Sequence, residues 1–247
     1  MSKTWVTPEG EYYEHIEHMI NQYHLLIGGA SRSGKSVLLN TIIHTALLKS
    51  PARLEFMLID PKRVELSDYK KLPHTIGYAS EHSDIIKLLQ SAVDLMERRY
   101  KEMSRKKFKV YEGKHLYIIF DEFGDLMTTS KKQVEPLIIR LAQLGAAAKI
   151  HLILATQNPS RQTITAGIKV NITASVALRC REPIESRMIL GCKGAELLSQ
   201  YGQGYYITPD HTTPQLIPIP KTSDEAIRER VQWWTRQNKS IFNLFTR

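Results

Sequence analysis

Short apolar runs alternate along this chain with longer amphipathic stripes, and that alternation predicts an α/β fold. Leu25, Leu26 and Ile27 form a run suited to a buried parallel strand. Residues 54–60 (LEFMLID), 116–120 (LYIIF) and 150–155 (IHLILA) read the same way. Ala174–Leu178 is a fifth strand, YYIT after Gly202 and Gly204 a further one, and Gln215–Ile219, flanked by prolines, an edge strand. Val37, Leu38, Leu39, Ile42 and Ile43 recur at helical spacing, so a helix opens at about Lys35. Residues 82–109 carry a stripe of Ile85, Leu88, Leu89, Ala92, Val93, Leu95, Met96 and Tyr100, the mark of a long helix. Shorter helices are predicted at His15–Ile20, Val64–Tyr69, about Val134–Ala148, and Ile184–Leu190, with an amphipathic one at Asp224–Gln237. The stretch holding Lys131 and Lys132 reads as a loop, and residues 160–172 show no clear periodicity.

This order predicts a mostly parallel central sheet flanked by helices, with one main domain over residues 24–220. Residues 1–23 form an N-terminal extension, in which Trp5, Tyr12 and Tyr13 can pack on a nucleotide base or cover a sheet edge. Residues 221–247 form a C-terminal helix and tail, whose Ile241, Phe242, Leu244 and Phe245 are suited to docking on this domain or on a neighbouring subunit.

Composition narrows the setting. At 247 residues, with 42% hydrophobic and 24% charged content, the chain resembles an ordinary soluble protein. It has no run of about eighteen apolar residues that could insert in a membrane, and MSKTWVTPEGEYYEH lacks the apolar core of a signal peptide. Cys180 and Cys192 show no metal-ligand spacing, which fits a reduced, cytoplasmic protein. The excess of 34 basic over 25 acidic residues, a net charge of +9, favours a polyanionic partner such as nucleic acid. Arg98, Arg99, Lys101, Arg105, Lys106, Lys107 and Lys109 crowd the end of the long helix, as a solvated terminus or a phosphate-contacting patch.

The chemistry lies at the strand ends. His24–Thr41 reads HLLIGGASRSGKSVLLNT, with Gly29, Gly34, Lys35 and Ser36 at the phosphate-loop spacing G-x-x-x-x-G-K-[ST]. Glycines let successive N–H groups turn inward on phosphate oxygens, and the helix N-terminus adds unpaired donors. The cradle is expected from Gly29, Ala30, Ser31, Arg32, Ser33, Gly34, Lys35, Ser36 and Val37. Lys35 reaches the β- and γ-phosphates of ATP, and the Ser36 hydroxyl ligates Mg²⁺. The strand LYIIF runs into Asp121 and Glu122, the first to hold Mg²⁺ through water, the second to polarise the attacking water. Gln157, at the tip of the next strand, is placed to bond the γ-phosphate or that water.

With both nucleotide motifs in place, the chain resembles the motor domain of the FtsK/SpoIIIE family of DNA translocases, within the FtsK–HerA group. The similarity runs from His24 to Tyr206, through HLLIGGASRSGKS, MLIDPKRVELSDY with Pro73-His74, MERRYKEMS, IIFDEFGDLM, RLAQLGAAAKIHLILATQNPS, ITAGIKVNI and ESRMIL. The resemblance implies a RecA-like P-loop core, a homo-oligomeric ring of usually six subunits around double-stranded DNA, and ATP at subunit interfaces. It implies Lys35 and Ser36 for phosphate and Mg²⁺, Asp121 and Glu122 as the acidic pair, and Gln157 as sensor. Loops facing the pore would offer Lys131, Lys132, Thr165 and Lys169 to DNA phosphates.

A ring ATPase also takes an arginine from the neighbouring subunit. Relatives usually carry RAAG before the sensor strand and TQRPS after it, whereas this chain has Ala146-Ala147-Ala148-Lys149 and Thr156-Gln157-Asn158. Arg140, Arg161, Arg179, Arg181 and Arg187 remain, and Arg187 in ESRMIL is preferred. Long family members add membrane segments and a winged-helix module; without them this chain resembles a stripped motor, recruited by a protein partner. The same domain type also drives protein secretion, and loss of the two familiar arginines keeps a slow, nucleotide-switched scaffold in view.

Overall fold

The computed structural model describes residues 10–199 and 201–245, with side chains for 14–199 and 201–237. The side chains of Trp5, Tyr12, Tyr13, Ile241, Phe242, Leu244 and Phe245 lie outside that range. Eight strands form one sheet: β1 (His24–Gly28), β2 (Leu54–Ile59), β3 (Thr75–Ala79), β4 (His115–Phe120), β5 (Ile150–Thr156), β6 (Ala174–Ala177), β7 (Gln203–Ile207) and β8 (Gln215–Pro218). They stand in the order β3-β2-β4-β5-β1-β6-β7-β8. The six strands from β3 to β6 run parallel, and β7 and β8 close one side antiparallel.

A parallel sheet needs cover on both faces, and alternate side chains of each strand feed two separate cores. Ile118 and Phe120 of β4, Leu152 and Leu154 of β5, and Leu26 of β1 belong to one. The helices α3 (His82–Lys106), α4 (Phe123–Thr129) and α5 (Lys131–Leu144) cover it with Leu89, Met96, Phe123, Leu126 and Ile138. Tyr117 and Ile119, Ile153 and Ala155, and Leu25 and Ile27 point the other way. There α1 (Gly10–Asn21) and α2 (Lys35–Ala46) supply Ile16, Met19, Leu38 and Leu39, and α8 (Asp224–Phe245) adds Ile227, Val231 and Trp234. The Trp234 indole N–H donates to the Leu47 carbonyl at 2.9 Å, fixing α8 to the end of α2.

Several expectations change. The strand β3 was not apparent in TIGYA because it is a half-exposed edge strand with a glycine at its centre. The expected helix at 64–69 is only a single tight turn over Ser67–Tyr69. The stretch with Lys131 and Lys132 is no loop: Ser130 alone separates α4 from α5, and both lysines lie in the first turn of α5. Phe123, Leu126 and Met127 give α4 its buried face at helical spacing. Residues 160–172 contain a short helix, α6 (Ala166–Asn171), opened by Thr165, whose hydroxyl accepts the Ile168 N–H. The helix α7 (Pro183–Leu190) follows β6, and Ile189 on it lies against Gly28.

At the edge where the parallel strands begin, three histidines are held neutral. The His151 Nδ1 lies 3.1 Å from the Gln22 carbonyl, so it must carry the proton. Its Nε2 is then the acceptor for His115 Nδ1–H at 2.8 Å. Burial lowers the pKa of His24 and His115 to about 4 and of His151 to about 3. In the unfolded chain these rings take up protons near pH 6.5. Between about pH 6.5 and 4 the unfolded state therefore binds more protons, and stability falls as the pH falls. Urea midpoints should be level above pH 7 and drop steadily from pH 6.5 to 4.5, and His151→Gln should shallow that slope.

Candidate nucleotide site

The opposite edge, where the parallel strands end, collects the chemistry, as the topology of open parallel sheets requires. The loop from Gly29 to Gly34 leaves β1 and is tied to its neighbours by backbone bonds: Gly29 N–H to Thr156 O at 3.3 Å, Ala30 N–H to Arg179 O at 2.8 Å, and Ser33 N–H to Ala30 O at 3.1 Å. A side chain at Gly29 would sit 2.6 Å from Ser33 Oγ and 2.8 Å from Leu178 Cβ, so only glycine fits that turn. Gly34 has φ 98°, a left-handed conformation, and brings no side-chain cap to α2. The first turn of α2, with Lys35, Ser36 and Val37, contains no acid, and the Ser33 hydroxyl is buried without a partner. Uncapped donors, a dipole end free of acids and an orphaned hydroxyl together fit a bound polyphosphate.

Lys35 is buried, and its ammonium donates at 2.5 Å both to the Asp121 carbonyl and to Asp121 Oδ1. Asp121 follows β4, which stands two places from β1, with β5 between them. Glu122 is also buried and is clamped from two sides: Oε1 accepts the Gly124 N–H at 3.2 Å and Oε2 the Gln157 N–H at 2.8 Å. Capping α4 and presenting a fixed carboxylate at the strand end are thus one act of the same side chain. Ser31 Oγ donates to Gln157 Oε1 at 3.0 Å, joining the loop directly to the tip of β5. Lys35, Asp121, Glu122, Gln157 and the loop therefore converge as the sequence predicts.

The connection after β2, where the sequence predicts only a short helix at Val64–Tyr69, also enters the site. Ser36 Oγ donates to Glu65 Oε1 at 2.6 Å, on the hydroxyl expected to face a metal. Lys62 Nζ lies 3.9 Å from Glu122 Oε2. Asp60 is fully buried, with Oδ2 accepting the Leu66 N–H at 2.9 Å and Oδ1 without a partner. The available signal was positional: β2 pairs with β4 in parallel, so whatever follows Ile59 must lie beside Asp121.

The remaining expected residues stand apart from this network. Lys131 is 3.9 Å from Glu135 on its own helix, and Lys132 is exposed. Lys169 Nζ donates to the Arg187 and Met188 carbonyls, both at 2.9 Å, so its ammonium closes the end of α7. The Arg187 side chain is exposed on α7, and Arg140 pairs with Glu97 at 2.9 Å. Among the described residues, no hydrogen bond or ion pair joins Lys131, Lys132, Thr165 or the Arg187 side chain to the phosphate loop.

A phosphate loop after β1, an acidic pair after β4, and a polar strand tip between them define a RecA-like P-loop ATPase domain. The FtsK/SpoIIIE family model matches residues 7–118 and 112–161, more than half of the chain. A DNA translocase FtsK of Halalkalibacterium halodurans is 37% identical over 240 residues, covering 89% of this chain and 30% of that protein. One from Listeria monocytogenes is 36% identical over 241 residues, 89% of this chain and 32% of that protein. The chain belongs to the FtsK/SpoIIIE family, and it spans about a third of the length of these relatives.

Solved structures share the fold at low identity. The pCW3 conjugation coupling protein TcpA, a monomer form with ATPγS, has a TM-score of 0.76 and 22% identity over 87% of this chain and 66% of that one. The cytoplasmic domain of the Thermomonospora curvata type VII secretion ATPase EccC has a TM-score of 0.74 and 23% identity, over 86% of this chain and 28% of that one.

Because Glu122 both caps and faces the site, substitutions should separate the two roles. Glu122→Gln keeps an amide oxygen for the Gly124 N–H and should bind a fluorescent ATP analogue within a few-fold of the parent. Its steady-state ATP turnover should fall by about 10²–10⁴. Lys35→Ala should lose analogue binding altogether.

Proposed function

We propose that this chain is the motor unit of an ATP-driven machine that moves double-stranded DNA without reading its sequence. The observation that carries the proposal is the buried Glu122 carboxylate clamped beside Gln157 at the phosphate loop, in a chain whose relatives over 89% of its length are named DNA translocases. The net charge of +9 supports a polyanionic track.

In this reading the γ-phosphate enters the loop and takes the Lys35 ammonium from Asp121. Ser36, and Asp121 through water, would hold Mg²⁺, which would supply positive charge against the phosphates. Glu122 accepts the proton of the attacking water, and Gln157 orients that water while its backbone keeps Glu122 in place. Copies assemble as a ring, six being the number the family resemblance implies, and Arg187 of a neighbouring copy completes the site. Lys131, Lys132, Thr165 and Lys169 are the first pore contacts to test; for Lys169 that role requires release from the end of α7. The machine works in the cytoplasm and is brought to its DNA by a partner protein.

Steady-state ATP hydrolysis with and without linear duplex, at low and moderate salt and with Lys35→Ala as the blank, tests this. Several-fold stimulation by duplex that fades with salt is the expected outcome. Hydrolysis indifferent to duplex would replace DNA with a polypeptide track. Bound ATP without hydrolysis would make the chain a nucleotide-switched scaffold lacking the two familiar arginines.

A further inference from the structure

A cavity of about 760 Å³ opens at the edge where the strands begin, at the far end of the sheet from the phosphate loop. Lys49, Arg53, Lys114 and Lys149 line it, against the single acid Glu112. Lys114 is paired with Glu55 at 2.8 Å, whereas Lys49, Arg53 and Lys149 have no ion pair among the described residues. Three uncompensated cations around one hollow repel one another, and they stay together at a cost that an anion would remove.

Lys149 carries the argument further. It has φ 53°, in the left-handed region where a side chain is strained and a glycine would not be. Its backbone is held there by buried Arg99, whose guanidinium donates to the Ala148 carbonyl at 2.8 Å and to the Lys149 carbonyl at 3.2 Å. Strained backbone of this kind clusters where geometry serves a ligand. The cavity wall also contains His115, whose Nδ1 proton is committed to His151 and whose Nε2 is left as a bare acceptor. Burial first, and then the charges of Lys149, Lys49 and Arg99, lower its pKa to about 4, so the ring stays neutral beside these cations.

We propose that this cavity is a second phosphate site, one that grips the phosphodiester backbone of duplex DNA away from the ATP. Its cations come from separate segments: the turn after α2, the approach to β4, and the turn before β5. That spread suits successive phosphates of a polymer, whereas a compact triphosphate takes a glycine loop and a helix N-terminus. The assignment rests on the reading of DNA as the track.

Fluorescence anisotropy of a labelled duplex, with the nucleotide site filled by excess ATPγS and salt varied, tests it. The Lys49→Glu/Lys149→Glu protein should bind about tenfold or more weakly, with the log–log salt slope smaller by about two. A Lys87→Glu/Lys193→Glu protein, with the same change in net charge, should keep the slope of the parent. Equal losses in both proteins would overturn the site, as would a cavity variant that binds like the parent. A parent that binds no duplex at all would overturn the DNA reading itself, and this site with it. Displacement of the duplex by micromolar tripolyphosphate would reassign the cavity to a free polyphosphate and overturn the backbone assignment. Lys149→Gly separates ligand from scaffold: it should raise the thermal midpoint while weakening duplex binding. A purely structural lysine would raise the thermal midpoint and leave duplex binding as in the parent, which would overturn the site.

Discussion

A buried ammonium bonded to a buried carboxylate is the interaction around which this molecule is arranged. Lys35 and Asp121 are both almost fully excluded from water, and neither is tolerable there without the other. They come from elements 86 residues apart, so the pair exists only because β1 and β4 end at the same edge with β5 between them. Six parallel strands with two apolar faces deliver that alignment, and the two cores exist to keep those faces dry. The glycines of the loop, the cap on α4 and the bonds to the tip of β5 then fix what surrounds the pair.

The intervening strand has a second effect. Because β5 bonds to both β1 and β4, its tip touches the phosphate loop through Ser31 and the Glu122 carboxylate through the Gln157 backbone. A ligand that displaces the Ser31–Gln157 bond is therefore felt at Glu122 within one residue. The connection after β2 adds Lys62 and Glu65 from the other flank, so the site is built by four strand ends.

Most of the buried fold was legible in the sequence, for a physical reason. Strands such as IHLILA are buried on both faces and must be apolar throughout, and a buried helix face repeats at its own period. Elements bearing less hydrophobic signal were missed: β3 at a half-exposed edge, α4 with only two turns, and α6 opened by a threonine cap. The phosphate loop, Asp121, Glu122 and Gln157 could be found because their chemistry dictates both residue type and spacing. Glu65, Lys62 and Asp60 could not, since they reach the site through the pairing of β2 with β4, which no local pattern encodes. The left-handed backbone at Lys149 was equally silent, because lysine does not announce a positive φ as glycine does.

The bond from Ser36 to Glu65 has a kinetic consequence. With Lys35 held by Asp121 and Ser36 by Glu65, both groups that would meet a nucleotide's phosphates and metal are already engaged by carboxylates of the same chain. Each carboxylate is a tethered competitor at high effective concentration, so loading is an exchange rather than a simple filling. The same exchange run backwards would return each carboxylate to Lys35 and Ser36 as a bound group leaves.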